Sequence, residues 1–197
     1  MSKILFFFKF SIVILISTSA LAFEEDAKKF VQVTTDKAKK IILDKSIQLE
    51  DKKKAIEKIA INFVDVEGLG KFTLGSERKN LSKEQLDKYT KTFRIFFAKK
   101  ISSRLQNYSD QDIKVISSKQ ISDNYVMVNS KMVSKKEGQE IAVDWRVFKV
   151  NEKLVVRDLV IEGLSLAKTQ RQEFSSILAS KGFDGLIKSL DEFILKN

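Results

Sequence analysis

Residues 139–150 read QEIAVDWRVFKV. In an extended chain Ile141, Val143, Trp145 and Val147 share one face, and Ala142, Asp144, Arg146 and Phe148 share the other. The same period of two recurs around this stretch, at 112–118, 124–133 and 153–161. Gly138 marks one turn and the pair Asn151-Glu152 another. The last of these segments is apolar on both faces apart from Arg157 and Asp158. Sequential strands with short turns predict an antiparallel meander.

On both sides of the meander the period changes to that of a helix. Residues 24–43 place Ala27, Phe30, Val31, Ala38, Ile41 and Ile42 near helical spacing, with acidic residues first and lysines last, as the helix dipole favours. A second helix is predicted over 50–63, and a short third over 65–74 that stops at Gly75. Ser82 and Gln85 have the spacing of a capping box. Behind them Leu86, Tyr89, Phe93, Phe96, Phe97, Ile101 and Leu105 form a stripe wider than packing on one neighbour requires. After the meander, Ser165 caps a helix bearing Leu166, Phe174, Ile177 and Leu178, which Gly182 ends, and a last helix covers 184–195. Helices, meander, helices: the order predicts an α+β fold, a curved antiparallel sheet of about four strands wrapped by N- and C-terminal helices.

Composition narrows the function. The 197 residues contain no cysteine, histidine or proline. Disulfides, thiolate nucleophiles, cysteine–histidine zinc sites and the commonest general base are therefore unavailable. There is no Gly-rich phosphate loop and no GxSxG elbow. Asp144 and Asp158 lie on neighbouring strands, but with Arg146 and Arg157 beside them they read first as ion pairs. The net charge of +10 would suit nucleic acid, yet the lysines are spread along helices beside acidic residues, as in DKKKAIEK (51–58). No nucleic-acid role is expected.

The first residues explain why export is expected. Lys3 is followed by the apolar run Ile4 to Ile16, broken by Lys9 and Ser11, and then by Ala20-Leu21-Ala22. That is the pattern of a signal peptide cleaved after Ala22. Residues 1–22 are predicted to be the leader and 23–197 a single exported domain.

Three stretches add a resemblance. Residues 141–147 read IAVDWRV, and 158–166 read DLVIEGLSL, followed by Gln170-Arg171 and by Glu173-Phe174-Ser175-Ser176-Ile177-Leu178. Residues 64–75 read VDVEGLGKFTLG, with LSKEQLDKYTKTF (81–93) behind them. In combination and order they resemble the MlaC family, the toluene-tolerance auxiliary proteins of Gram-negative periplasms. The chain departs from the family pattern at 76–80 (SERKN), at Leu81-Ser82, and at Leu154 and Arg157.

The resemblance implies a periplasmic phospholipid-binding shuttle without enzyme activity or cofactor. Its implied partners are phospholipid, an outer-membrane lipoprotein–porin complex, and the lipid-binding subunit of an inner-membrane ABC transporter, in a pathway that maintains outer-membrane lipid asymmetry. On this reading Phe72, Leu74, Phe93, Phe97, Val143, Trp145, Val147, Leu159, Ile161, Leu166 and Phe174 line an apolar pocket for acyl chains. Two alternatives stand beside it: a periplasmic interaction module with a filled core, and a carboxylate-based hydrolase. Periodicity alone does not separate a filled core from a pocket.

Overall fold

The computed structural model describes residues 18–103, 111–134 and 138–197. Most of the expected leader (1–17) and Leu105 of the wide stripe lie outside the described residues. Four helices come first: α1 (Thr18–Leu43), α2 (Leu49–Phe63), α3 (Val66–Leu74) and α4 (Lys83–Ser102), with a 3-10 turn at Glu77–Lys79. Then follow β1 (Gln111–Ser122), β2 (Tyr125–Ser134), β3 (Glu140–Val150), β4 (Lys153–Ile161), a two-residue β5 (Leu164–Ser165) and α5 (Leu166–Lys196). The strands form one open antiparallel sheet in chain order, so the fold is α+β.

Local chemistry explains most boundaries. Ser82 Oγ accepts from Gln85 N–H at 3.2 Å, and Gln85 Oε1 accepts from Ser82 N–H at 2.9 Å, completing the capping box that starts α4. Asp65 caps α3 by accepting from Gly68 N–H at 2.9 Å. The turn between β3 and β4 holds Asn151 and Glu152 at φ of 47° and 62°, the left-handed conformation a two-residue hairpin needs.

Three details differ from the sequence expectation. First, the sheet has a fifth strand, the short β5, paired to the end of β4. Second, β1 runs from Gln111 to Ser122 rather than over 112–118, with a second register shift between Gln120 and Ser122 and a bulge at Ile116. That bulge leaves Ile116 57% exposed and interrupts the alternation that marks a strand. Third, α1 begins at Thr18 rather than at 24, so the acidic residues do not form its first turn. As expected, Gly182, with a φ of 67°, separates two helical stretches within α5.

The apolar side chains settle into two cores. One lies against the sheet: Ala27 and Val31 of α1, Phe63 of α2, Val126 and Val128 of β2, Val143, Trp145 and Val147 of β3, and Val156 of β4. Phe63 joins it edge-on to Trp145, with ring centroids 5.8 Å apart. The Trp145 indole N–H donates to Ser130 Oγ at 2.8 Å, and Ser130 donates to the Val143 carbonyl at 2.8 Å. The indole thus brings its polar edge inside without leaving it unpaired.

The other core is helical. It contains Val66 and Leu74 of α3, Tyr89, Phe93 and Phe96 of α4, and Phe174, Leu186, Ile187 and Leu190 of α5. At its centre the Tyr89 and Thr73 hydroxyls lie 2.7 Å apart, and Thr73 also donates to the Gly70 carbonyl at 2.8 Å. Burial pushes the Tyr89 phenol up, outweighing the opposing effect of the Thr73 hydrogen bond. Tyr89 therefore remains a neutral hydroxyl joining α3 to α4.

Candidate functional site

Between the two cores lies a cavity of about 380 Å³. Its sheet wall is β4, with Val156, Leu159 and Ile161. Phe93, Phe96, Phe97, Lys100 and Ile101 of α4 form a second wall, at successive spacings of three, one, three and one. Such spacings put all five on one helix face. The first two turns of α5 close the space with Leu166, Ala167, Thr169, Gln170 and Glu173, and Val64 and Leu69 complete it.

A bulge creates the sheet wall. Val147 pairs with Val156, but Arg146 pairs with Asp158, so Arg157 is an extra residue in β4. Paired residues share a face, and Leu159 and Ile161 pair with Trp145 and Val143. Val156, Leu159 and Ile161 therefore face the same way despite their odd spacing.

Arg157 and Asp158 also tie the neighbouring helices down. Arg157 Nε donates to Asp65 Oδ2 at 2.7 Å, at the start of α3. Asp158 is only 8% exposed. Its carboxylate accepts from Ser165 Oγ at 2.6 Å and from Ala167 N–H at 2.9 Å, and one oxygen lies 3.4 Å from an Arg146 nitrogen. A carboxylate at the first turn of α5 complements the positive end of that helix. Asp144 has a separate partner, Asn129 Nδ2, at 2.7 Å. Each of the two strand carboxylates is thus engaged in a packing network of its own. Among the described residues no cluster of three or more Asp and Glu has the arrangement to hold a metal.

The structure divides the residues expected to line a pocket. Phe93, Phe97, Leu159, Ile161 and Leu166 come together at the cavity. Val143, Trp145 and Val147 belong to the sheet core, and Leu74 and Phe174 to the helical core. Phe72 lies under the Arg171 guanidinium, 5.2 Å from its ring centre. The first five are buried among other side chains, as their spacing requires, and Phe72 is half-buried beneath Arg171. Val64, Leu69, Val156, Ala167 and the other polar residues of the cavity had no such signal in the sequence, whereas Phe96 and Ile101 belong to the wide stripe already read on α4, and Lys100 lies on the same helix face, seven residues beyond Phe93.

Comparison with known proteins places the geometry in a family. The MlaC protein family matches residues 32–192. A curated relative from Haemophilus influenzae, the intermembrane phospholipid transport system binding protein MlaC, is 29% identical over 133 residues. The match covers 66% of this chain and 62% of that protein, so it spans less than two thirds of the relative's length. A solved phospholipid-binding protein from Ralstonia solanacearum, in complex with a phospholipid, has the same fold, with a TM-score of 0.72 at 22% identity. The likeness covers 86% of this chain and 97% of that one.

Proposed function

This chain belongs to the MlaC family, and from that premise we propose that it is an exported carrier holding one phospholipid with its acyl chains in the cavity between the two cores. The observation that carries the reading is the cavity's position. Each core is a contiguous cluster of buried apolar side chains, and the space falls at the seam between them. A filled-core module would close that seam, since protein interiors rarely leave voids of this size. Among the described residues no helix is long and apolar enough to cross a membrane. Residues 1–22 direct export on this reading, and 23–197 form the carrier in the periplasm. Its exchange partners there are an outer-membrane lipoprotein–porin complex and the lipid-binding subunit of an inner-membrane ABC transporter.

Energetics suit a carrier. Each buried methylene is worth about 0.8 kcal/mol, so some thirty give roughly 24 kcal/mol gross, enough that strong head-group contacts are not needed. The cavity of about 380 Å³ lies within the range usual for ligand sites. A docking partner would favour release by binding a more open form more tightly than the closed one.

Gly70 bears on the cavity. A Cβ there would stand 3.0 Å from Phe93 Cδ1, closer than most contacts allow. Phe93 also lines the cavity, so a displaced ring alters the space there. Gly70→Ala is expected to leave the protein folded while lowering its phospholipid content severalfold, read by organic extraction beside a melting curve. A folded variant with unchanged content would place Phe93's freedom elsewhere.

Transfer itself tests the carrier role. Protein isolated from periplasm is mixed with donor vesicles containing pyrene-labelled phosphatidylcholine and with unlabelled acceptors. The expected result is transfer that rises in proportion to protein concentration. A rate equal to spontaneous exchange at every concentration would reject the role.

A further inference from the structure

The chain has a strong excess of positive charge, yet among the described residues the charged side chains lining the cavity balance: Lys100 and Arg157 against Asp158 and Glu173. Arg157 and Asp158 are held by Asp65, Ser165 and Ala167. Thr169 donates to the Ser165 carbonyl at 3.0 Å. Lys100, Gln170 and Glu173 form a different kind of group, bridging α4 and α5. Lys100 Nζ donates to Gln170 Oε1. It also lies 3.9 Å from Glu173 Oε2 and 5.4 Å from the centre of the Phe96 ring. Gln170 Nε2 in turn donates to Glu173 Oε2 at 2.8 Å.

Exposure orients the group. The Lys100 and Glu173 side chains are 31% and 54% exposed, whereas Phe93 and Phe96 are buried. The polar cluster is thus the mouth and the aromatic pair the floor. An ion pair this exposed is weak, and its members can exchange partners readily.

We propose that Lys100, Gln170 and Glu173 form a head-group site selective for a zwitterion carrying a phosphate and a primary ammonium, the phosphoethanolamine class. This deepens the phospholipid-carrier reading and rests on it. The phosphate sits against the Lys100 ammonium, and the ligand's ammonium donates to the Glu173 carboxylate and the Gln170 amide oxygen. Each half of the ligand replaces what its partner loses when the Lys100–Glu173 pair opens. A phosphoglycerol head group satisfies Lys100 but leaves Glu173 with no cation. A phosphocholine head group offers the charge without an N–H donor, so Glu173 and Gln170 accept nothing from it.

The test is competitive loading. The protein from periplasm is equilibrated with vesicles holding equal amounts of phosphatidylethanolamine, phosphatidylglycerol and phosphatidylcholine with identical acyl chains. It is then re-isolated, and its lipids are quantified by mass spectrometry. Phosphatidylethanolamine is expected to be enriched over phosphatidylglycerol by about threefold, the size of effect an exposed ion pair supports. Glu173→Gln should abolish the enrichment, and Glu173→Lys should reverse it toward phosphatidylglycerol. Lipid bound in vesicle proportions by wild type and both variants overturns the head-group site and leaves the carrier reading intact. Wild-type protein that takes up none of the three lipids overturns both.

Discussion

Replacing Asp158 with alanine is expected to lower folding stability by about 3–5 kcal/mol, the usual consequence of breaking a buried charged network by removing one member. The variant leaves Ala167 N–H and Ser165 Oγ without their acceptor and Arg146 without its counter-charge, where the lost side chain was almost wholly buried. In a domain of this size that corresponds to a fall in melting temperature of roughly 6–20 °C. Asp158→Asn keeps one acceptor oxygen, enough for one of the two hydrogen bonds, and replaces the other with a donor while losing the charge, so it should cost less than Asp158→Ala, about 1–3 kcal/mol. Urea denaturation of both variants checks the order. A loss below about 1 kcal/mol for Asp158→Ala would mean that β4 and the start of α5 are held by packing alone.

A charge placed on either wall of the cavity is expected to empty it. Leu159→Asp alters the sheet wall and Phe97→Asp the helix wall. A carboxylate set among acyl chains must lose its water or shift to its neutral form, at a cost of several kcal/mol. That is enough to weaken phospholipid affinity by at least about a hundredfold. Both side chains are only partly buried without ligand, so the variants are expected to keep a far-UV circular dichroism spectrum like that of wild type. Leu159→Met, which preserves volume and apolar character, should bind normally. Full occupancy in a folded Leu159→Asp protein would remove β4 from the binding wall.

The contrast between these variants reflects what could be read from the sequence. Element types followed from periodicity, and the start of α4 followed from two residues, Ser82 and Gln85, whose reciprocal hydrogen bonds are local. The bulge at Arg157 left no such mark. An extra residue in a strand is indistinguishable from a change of face until the partner strand is known, so β4 read as apolar on both sides. The site was only half legible for a related reason. Alternation in β3 says that Val143, Trp145 and Val147 point inward, and they do. It does not say that inward divides into a sheet core, a helical core and a seam between them. That division depends on where α4 and α5 sit against β4, through contacts between residues far apart in the chain. Gly70 illustrates the same limit: in sequence it weakens a short helix, whereas in the structure its missing Cβ is the space that the Phe93 ring occupies.

Native mass spectrometry of the protein, isolated from periplasm without detergent and followed by organic extraction of the same sample, tests the central claim most directly. The account predicts a discrete mass increment equal to one phospholipid, matched by the extracted lipid, and its loss in Leu159→Asp. A folded protein that carries no increment, and gains none when phospholipid vesicles are added, would contradict it.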